Sequence, residues 1–340
     1  MKKVITFGEI MLRLVPEGYN RFTQADRFLA TYGGGEANVA VSLANFGIDA
    51  AFVTKLPTHA IGQSAVNDLR RYGVETRHIT RGGDRVGIYF LEKGASQRAS
   101  NVIYDRAHSA IAEASADDFD WETIFEGYDW FHFTGITPAL GENVAAITLA
   151  ALKEAKKQGL KVSCDLNYRK KLWTQAQAQE TMSALMEYVD VLVANEEDSE
   201  KVFGIKAAET DVDLGEINHE NYIDVAKQLQ ARFNFEKVTI TLRESISASD
   251  NIWSTMLYVD GHAYFSKKYN VHIVDRVGGG DSFGSGLIYA LLNDYSNQDA
   301  IEFATAASCL KHSIEGDYNR VSVDEVLALA KGDGSGRVQR

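Results

Sequence analysis

The stretch 274-VDRVGGGDSFGSG-286 sets five glycines around one aspartate, directly ahead of a segment, 287-LIYALL-292, that reads as a helix. Glycine there costs backbone entropy and offers nothing to pack. The run therefore implies either a turn that needs positive φ or a close approach to the backbone by another group. A helix N-terminus presents unpaired N–H groups and a partial positive charge, which makes it an anion site. Without β-carbons in the way, a phosphate oxygen could reach those amides. Asp281, in 278-GGGD-281, occupies the same turn. As a cap it would contribute ~1 kcal/mol to the helix; as a base it would point at a hydroxyl beside the phosphate. A second cluster, 33-GGGEAN-38, opens another helix in the same way.

Outward from these clusters, short β-branched runs alternate with longer amphipathic stretches. VITFG (4–8), AAFVTKL (50–56), DWFHFTG (129–135), KVSCDLN (161–167), VDVLVAN (189–195) and KVTITL (237–242) read as strands. ANVAVSLANFG, ENVAAITLAALKEAKKQG, ETMSALMEY and YIDVAKQLQARF carry apolar residues at helical spacing. Such alternation predicts an α/β fold with a doubly wound, mainly parallel sheet. Ligands of such sheets sit beyond the strands' carboxyl ends, here near Gly135, Asn167 and Asn195. Residues 9–33 and 86–106 break the rhythm and read as strands and turns, the second a hairpin turning at GASQRASN. They predict a small β-sheet lid over the mouth of the main domain, or an edge extension of the main sheet. Residues 206–220 read as an acidic surface loop, and the tail GDGSGRVQR as flexible or tied down at a partner surface.

Composition narrows the partners. A formal net charge of -12 disfavours nucleic acid and membrane surfaces. No apolar run approaches the roughly 18 residues of a membrane span, and MKKVITFGEI reaches Glu9 too soon for a signal-peptide core. The two cysteines, Cys164 and Cys309, give neither a disulfide framework nor a metal-ligand spacing, so a reducing cytoplasm is expected. His132 lies in an apolar strand and reads as a core histidine; His312, in KHSIEGD, follows a helix and is given no role. There is no G-x-x-x-x-G-K-[ST], no H-E-x-x-H and no G-x-G-x-x-G after the first strand.

The spacing DxVGGGDSFGSG resembles the carboxy-terminal signature of the PfkB-type, ribokinase-like carbohydrate kinases, and 33-GGGEANVAVSLANFG-47 resembles their amino-terminal one. The resemblance spans essentially residues 1–340, and is closest to the 2-keto-3-deoxygluconate kinases in GEIMLRL, YGGGEANVAVSLA, FHFTGITPALGENV and SCDLNYRKKLWT. It implies transfer of a phosphoryl group from ATP, with magnesium, to a primary hydroxyl of a sugar or sugar acid. A monovalent cation is a possible further cofactor, and a homodimer joined through the small sheets is the default assembly.

Carried over by position, the resemblance makes Asp281 the base, with Gly278, Gly279 and Gly280 as the anion hole. A carboxylate at a helix N-terminus is expected to be stabilised as an anion, hence a weak base. Gly34, Gly35 and Asn38 would grip sugar hydroxyls, and Tyr89, Tyr104, Arg106 and Arg169 the rest of the substrate. A sugar-acid carboxylate needs a fixed cation and a neutral hexose does not, which singles out Arg106 and Arg169. Asn195 and Asp198, in 195-NEED-198, would help organise magnesium and phosphate, although Asn195 could simply cap a helix. Arg243 and Asp275 fall on the nucleotide side. There are departures from the family pattern. Arg276 stands where threonine is common, Gly279 where alanine is, and 241-TLRESISASDN-251 lacks the glycines common near the nucleotide. 57-PTHAIG-62 replaces a frequent G-x-D-x-x-G turn. Arg13 stands where many relatives have an aspartate, which favours an acidic substrate. Fructose and 2-keto-3-deoxygalactonate kinases, and a non-catalytic sugar- or nucleotide-binding regulator, are the alternatives.

Overall fold

The computed structural model describes residues 2–206 and 219–334. Most of the expected acidic loop, 207–218, and the end of the tail, 335–340, lie outside the described residues. The chain opens with β1 (Lys3–Phe7), then β2 (Met11–Pro16), β3 (Phe28–Gly33) and α1 (Gly35–Asn45). β4 (Asp49–Leu56), α2 (Ala60–Arg71), β5 (Ile79–Arg81), β6 (Ile88–Glu92) and β7 (Asn101–Asp105) follow. Next come α3 (Trp121–Ile124), β8 (Trp130–Thr134), α4 (Glu142–Lys157), β9 (Lys161–Asp165), α5 (Gln175–Met186) and β10 (Val191–Asn195). α6 (Glu196–Phe203), α7 (His219–Phe233), β11 (Lys237–Ser245), β12 (Asp250–Val259), β13 (His262–Phe265) and β14 (Tyr269–His272) lead to α8 (Gly279–Leu292), α9 (Asn297–Lys311) and α10 (Val323–Ala330).

The main sheet runs β13-β12-β11-β10-β9-β8-β1-β4-β5, with β14 on β12. From β11 to β5 every pairing is parallel; β12 to β14 add an antiparallel edge. Strands buried on both faces need continuous apolar runs. β8, WFHFT, is buried at every position and β10 at Val191–Ala194. One face packs on α4, α5 and α7 through Val144, Ile147, Met182, Val225 and Leu229. The other packs on α1, α2 and α8 through Ala40, Leu69, Phe283 and Leu287. α4 shows the cause: Val144, Ile147, Thr148, Ala151, Leu152 and Ala155 form one buried stripe. His132 is a satisfied core histidine, its Nδ1 2.8 Å from Ser163 Oγ, and burial pushes its pKa down to about 3.

β1 has β4 on one side and β8 on the other, so the strand order reverses between β1 and β8. A crevice opens at such a reversal, beyond the carboxyl ends of the strands. The two segments that broke the rhythm form a separate four-stranded sheet, β3-β2-β6-β7, not an edge extension of the main sheet. One of its faces carries Met11, Tyr89, Val102 and Tyr104 to the crevice.

Candidate active site

A cavity of about 520 Å³ lies at the reversal, between the ends of β9, β10 and β11, the first turns of α1 and α8, and the small sheet. The glycine run forms its floor, and each glycine there has its own reason. Gly278 caps α8 with φ +83, a left-handed conformation that strains any side chain. A β-carbon on Gly279 would lie 2.5 Å from His312 Cε1, so the imidazole occupies the space that the family's usual alanine would need. Gly280 faces the cavity, where the nearest atom to such a carbon would be Asp165 Oδ2, at 3.9 Å. Ser282 N makes the first helical bond, to Gly278 O, so the N–H groups of Gly280 and Asp281 precede the bonded turn.

Asp281 sits in the first turn of α8. Its Oδ2 accepts a 2.7 Å hydrogen bond from Asn38 Nδ2, while Asn38 Oδ1 accepts from Gly34 N at 3.2 Å. Oδ1 of Asp281 has no hydrogen-bond partner among the described residues and lies toward Gly35. The expectation of a weak base is corrected here. Burial pushes the Asp281 pKa up to about 6, against the pull of the Asn38 hydrogen bond. Asp165 and Asp198 lie in the same cavity. Burial, then the nearby Asp198 and Asp281 carboxylates, raise Asp165 well above the usual range. Burial raises Asp198 to about 6, with Arg169 opposing.

On the side of α1 and the small sheet, the structure gathers Gly34, Gly35, Asn38, Tyr89, Tyr104, Arg106 and Arg169 around one cavity. Arg106 is buried and held by Glu9, which accepts from its Nε at 2.7 Å and from its Nη2; Ser109 Oγ donates to the other Glu9 oxygen at 2.7 Å. Nη1 of Arg106 has no partner among the described residues. Its guanidinium lies 5.5 Å from the centre of the Tyr104 ring, which Lys171 Nζ approaches to 5.9 Å. Arg169 donates to Tyr168 O and neighbours all three carboxylates. A more open space beside the cavity shares Tyr104, Arg106 and Arg169 and adds Lys170, Lys171 and Lys201, so a local cationic mouth offsets the net negative charge.

On the opposite side, Asn195 caps α6: its Oδ1 accepts from Asp198 N at 2.7 Å and its Nδ2 donates to Asp198 Oδ2 at 2.9 Å. Arg243 leaves β11 exposed at the rim. Two expectations are corrected. Asp275 does not line the cavity; its carboxylate is taken up by Arg13, Val277 N and Gly316 N. Arg13 is no free cation for an acidic substrate, since it is buried between Asp275 and Asp317. Asp317 also accepts from the Tyr89 hydroxyl at 2.6 and 2.7 Å, which ties the small sheet to the main domain.

Sequence reasoning missed Asp165, whose place at the carboxyl end of a strand was its signal, and Arg276. Arg276 reaches the cavity beside Arg243 and donates to Ala248 O at 3.1 Å. Its Nε is buried without a partner, and burial, then Arg243, push its pKa down. Two guanidinium groups, Arg243 and Arg276, with no ion pair among the described residues, beside free helix amides and facing the Asp281 carboxylate, suit the transfer of an anionic group to a hydroxyl.

Known proteins match this chain over nearly its whole length. The 2-dehydro-3-deoxygluconokinase of Thermotoga maritima superposes with a TM-score of 0.94 at 55% identity, covering 98% of this chain and 100% of that one. The 2-dehydro-3-deoxygalactonokinase of Haloferax volcanii is 33% identical over 334 residues, 98% of each chain. The 2-dehydro-3-deoxygluconokinase of Bacillus subtilis is 26% identical, over 95% of this chain and 94% of its own. Residues 1–322 match the pfkB family carbohydrate kinase description, and this chain is a carbohydrate kinase of the pfkB family.

Proposed function

We propose that the protein transfers the γ-phosphoryl group of ATP to the terminal primary hydroxyl of 2-keto-3-deoxygluconate, the 2-dehydro-3-deoxygluconate of its relatives' names. The observation that carries this reading is a single cavity lined both by Asp281 and by two arginines, Arg106 and Arg169. A neutral sugar has no use for that pair, whereas a carboxylate matches guanidinium geometry. Asp281 accepts the hydroxyl proton as the sugar oxygen bonds to the γ-phosphorus and the bond to ADP breaks. Asn38 keeps the carboxylate aimed. The amides of Gly280 and Asp281, with Arg243 and Arg276, face the charge spread over the phosphoryl oxygens, the main catalytic need of a loose transition state. Asp198 and Asp165 are oxygen donors of the kind a hard divalent ion takes; magnesium bound with ATP would neutralise phosphate charge there. Among the described residues no side-chain cluster forms a metal site by itself.

The small sheet, residues 9–33 and 86–106, is read as the lid over the sugar, and its outer face as the seat of a homodimer. No helix among the described residues is long and apolar enough to cross a membrane; free thiols at Cys164 and Cys309 support a cytoplasmic setting. A second substrate, 2-keto-3-deoxygalactonate, is favoured by the Haloferax volcanii relative. The test is ADP formation with MgATP against both keto-deoxy acids, fructose and ribose, alongside Asp281→Asn. Turnover of one keto-deoxy acid, lost in the variant, is expected. Turnover of neutral sugars alone would remove the role of Arg106 and Arg169.

A further inference from the structure

Behind the glycine run lies a charge that the reaction above does not use. Lys311, the last residue of α9, is 0% exposed. Its Nζ donates to the main-chain oxygens of Asp275, at 3.2 Å, and Ile314, at 3.3 Å. A β-carbon on Gly278 would come within 3.2 Å of Lys311 Cε, so the ammonium arm lies directly beneath the turn that forms the anion hole. No carboxylate is within ion-pair distance of it among the described residues, although Asp275, Asp317 and Asp281 attract it from further off. Burial pushes its pKa down. A buried ammonium held by carbonyls alone is costly, and an apolar side chain would fill the same space at less cost. Its charge therefore calls for an explanation other than packing.

Main-chain carbonyl oxygens are the ligands that strip water from potassium-sized ions. Behind the phosphate site, Lys311 Nζ already holds two such oxygens, those of Asp275 and Ile314. Two cations, Arg13 and Lys311, already face the Asp275 and Asp317 carboxylates behind the turn. These residues do not fit a monovalent metal ion there.

We propose that Lys311 is a built-in monovalent cation: its ammonium, through the Gly278–Gly280 turn, stabilises the negative charge on the transferring phosphoryl group and makes catalysis independent of added potassium or ammonium ions. The proposal rests on the kinase reading above. Lys311 acts through the main chain and touches no substrate, so it is a positioning residue.

The full-length enzyme, exchanged into choline salts, is assayed with MgATP and its best sugar in choline, sodium, potassium and ammonium chloride. Wild-type turnover should change by less than about twofold across the series, and Lys311→Ala should lose about tenfold or more of kcat in choline. Potassium or ammonium ions should restore part of that loss in Lys311→Ala, but none in Lys311→Met, whose side chain fills the space. A wild type that depends on potassium overturns the proposal, as does a folded Lys311→Ala with unchanged kcat or with no cation rescue. If Lys311→Ala does not fold, the wild-type series and kcat of Lys311→Met in choline decide by the same criteria. Failure of the kinase reading looks different, as no turnover of any sugar. In that event the cation series is read on the rise in Tm caused by MgADP, which should match in choline and potassium for the wild type alone.

Discussion

Asp281 is held by opposing influences: burial raises its pKa to about 6, while Asn38 favours the anion. Only the ionised carboxylate can take the hydroxyl proton, so kcat/KM should fall as pH drops through about 6 and level off above it. Replacement by asparagine should cost about 100- to 10,000-fold in kcat. Asp198 also titrates near 6; the acid limb should survive in Asp198→Asn, and its disappearance there would remove the base assignment from Asp281. Gly279 offers a second test at this scale. Gly279→Ala drives a carbon into His312 and should destabilise the fold by about 1–3 kcal/mol, read by urea unfolding. Adding His312→Ala should recover much of that loss, and strict additivity would refute the steric account. The departure from alanine at Gly279 is plain in the sequence, but its cause is not, because His312 comes from the end of α9. The same holds for Arg106, whose arginine is visible in the hairpin while its partner Glu9 follows β1.

At the level of elements, the strands and the two glycine-led helices were legible because burial on both faces demands continuous apolar runs and helix packing demands a stripe. The small sheet was legible as strands without helices. What anchors it was not. Arg13 on β2 and Tyr89 on β6 reach Asp275 and Asp317, which flank α8 and α9 far along the chain. Nothing local marks such a pairing, so the sequence shows Arg13 only as a replacement for a family aspartate, and Asp275 only as a residue on the nucleotide side. Removing one member leaves buried charges unpaired, which costs about 3–5 kcal/mol. Arg13→Met should therefore lower the urea midpoint sharply and raise KM for the sugar, since Tyr89 and Tyr104 ride on the same sheet. An unchanged midpoint would mean that the network carries no net stability. Arg106→Lys keeps the charge but loses the planar fork. KM for the keto-deoxy acid should rise about tenfold or more, with KM for ATP unchanged. A parallel rise in both would make Arg106 only a brace for Glu9.

For the whole molecule, a net charge of -12 keeps copies apart, so any assembly needs an apolar face large enough to overcome it. The outer face of the small sheet carries apolar side chains. Leu14, Phe90 and Ile103 are register neighbours across β2, β6 and β7, and the Phe28 ring packs edge-on against Phe90 at 6.0 Å. Ile103 is 48% exposed and Phe28 38%. Alternation along the strands puts Tyr89, Val102 and Tyr104 on the opposite face, lining the cavity. A partner seated outside would thus stiffen the very strands that hold the substrate inside. Sedimentation should give twice the chain mass for the wild type and the chain mass for Phe28→Lys combined with Ile103→Lys. The monomeric variant should keep kcat within about threefold while KM for the sugar acid rises, because β7 loses its outer support and Arg106 follows it. A variant that stays dimeric would place the interface elsewhere, and a monomer with unchanged KM would separate assembly from substrate binding.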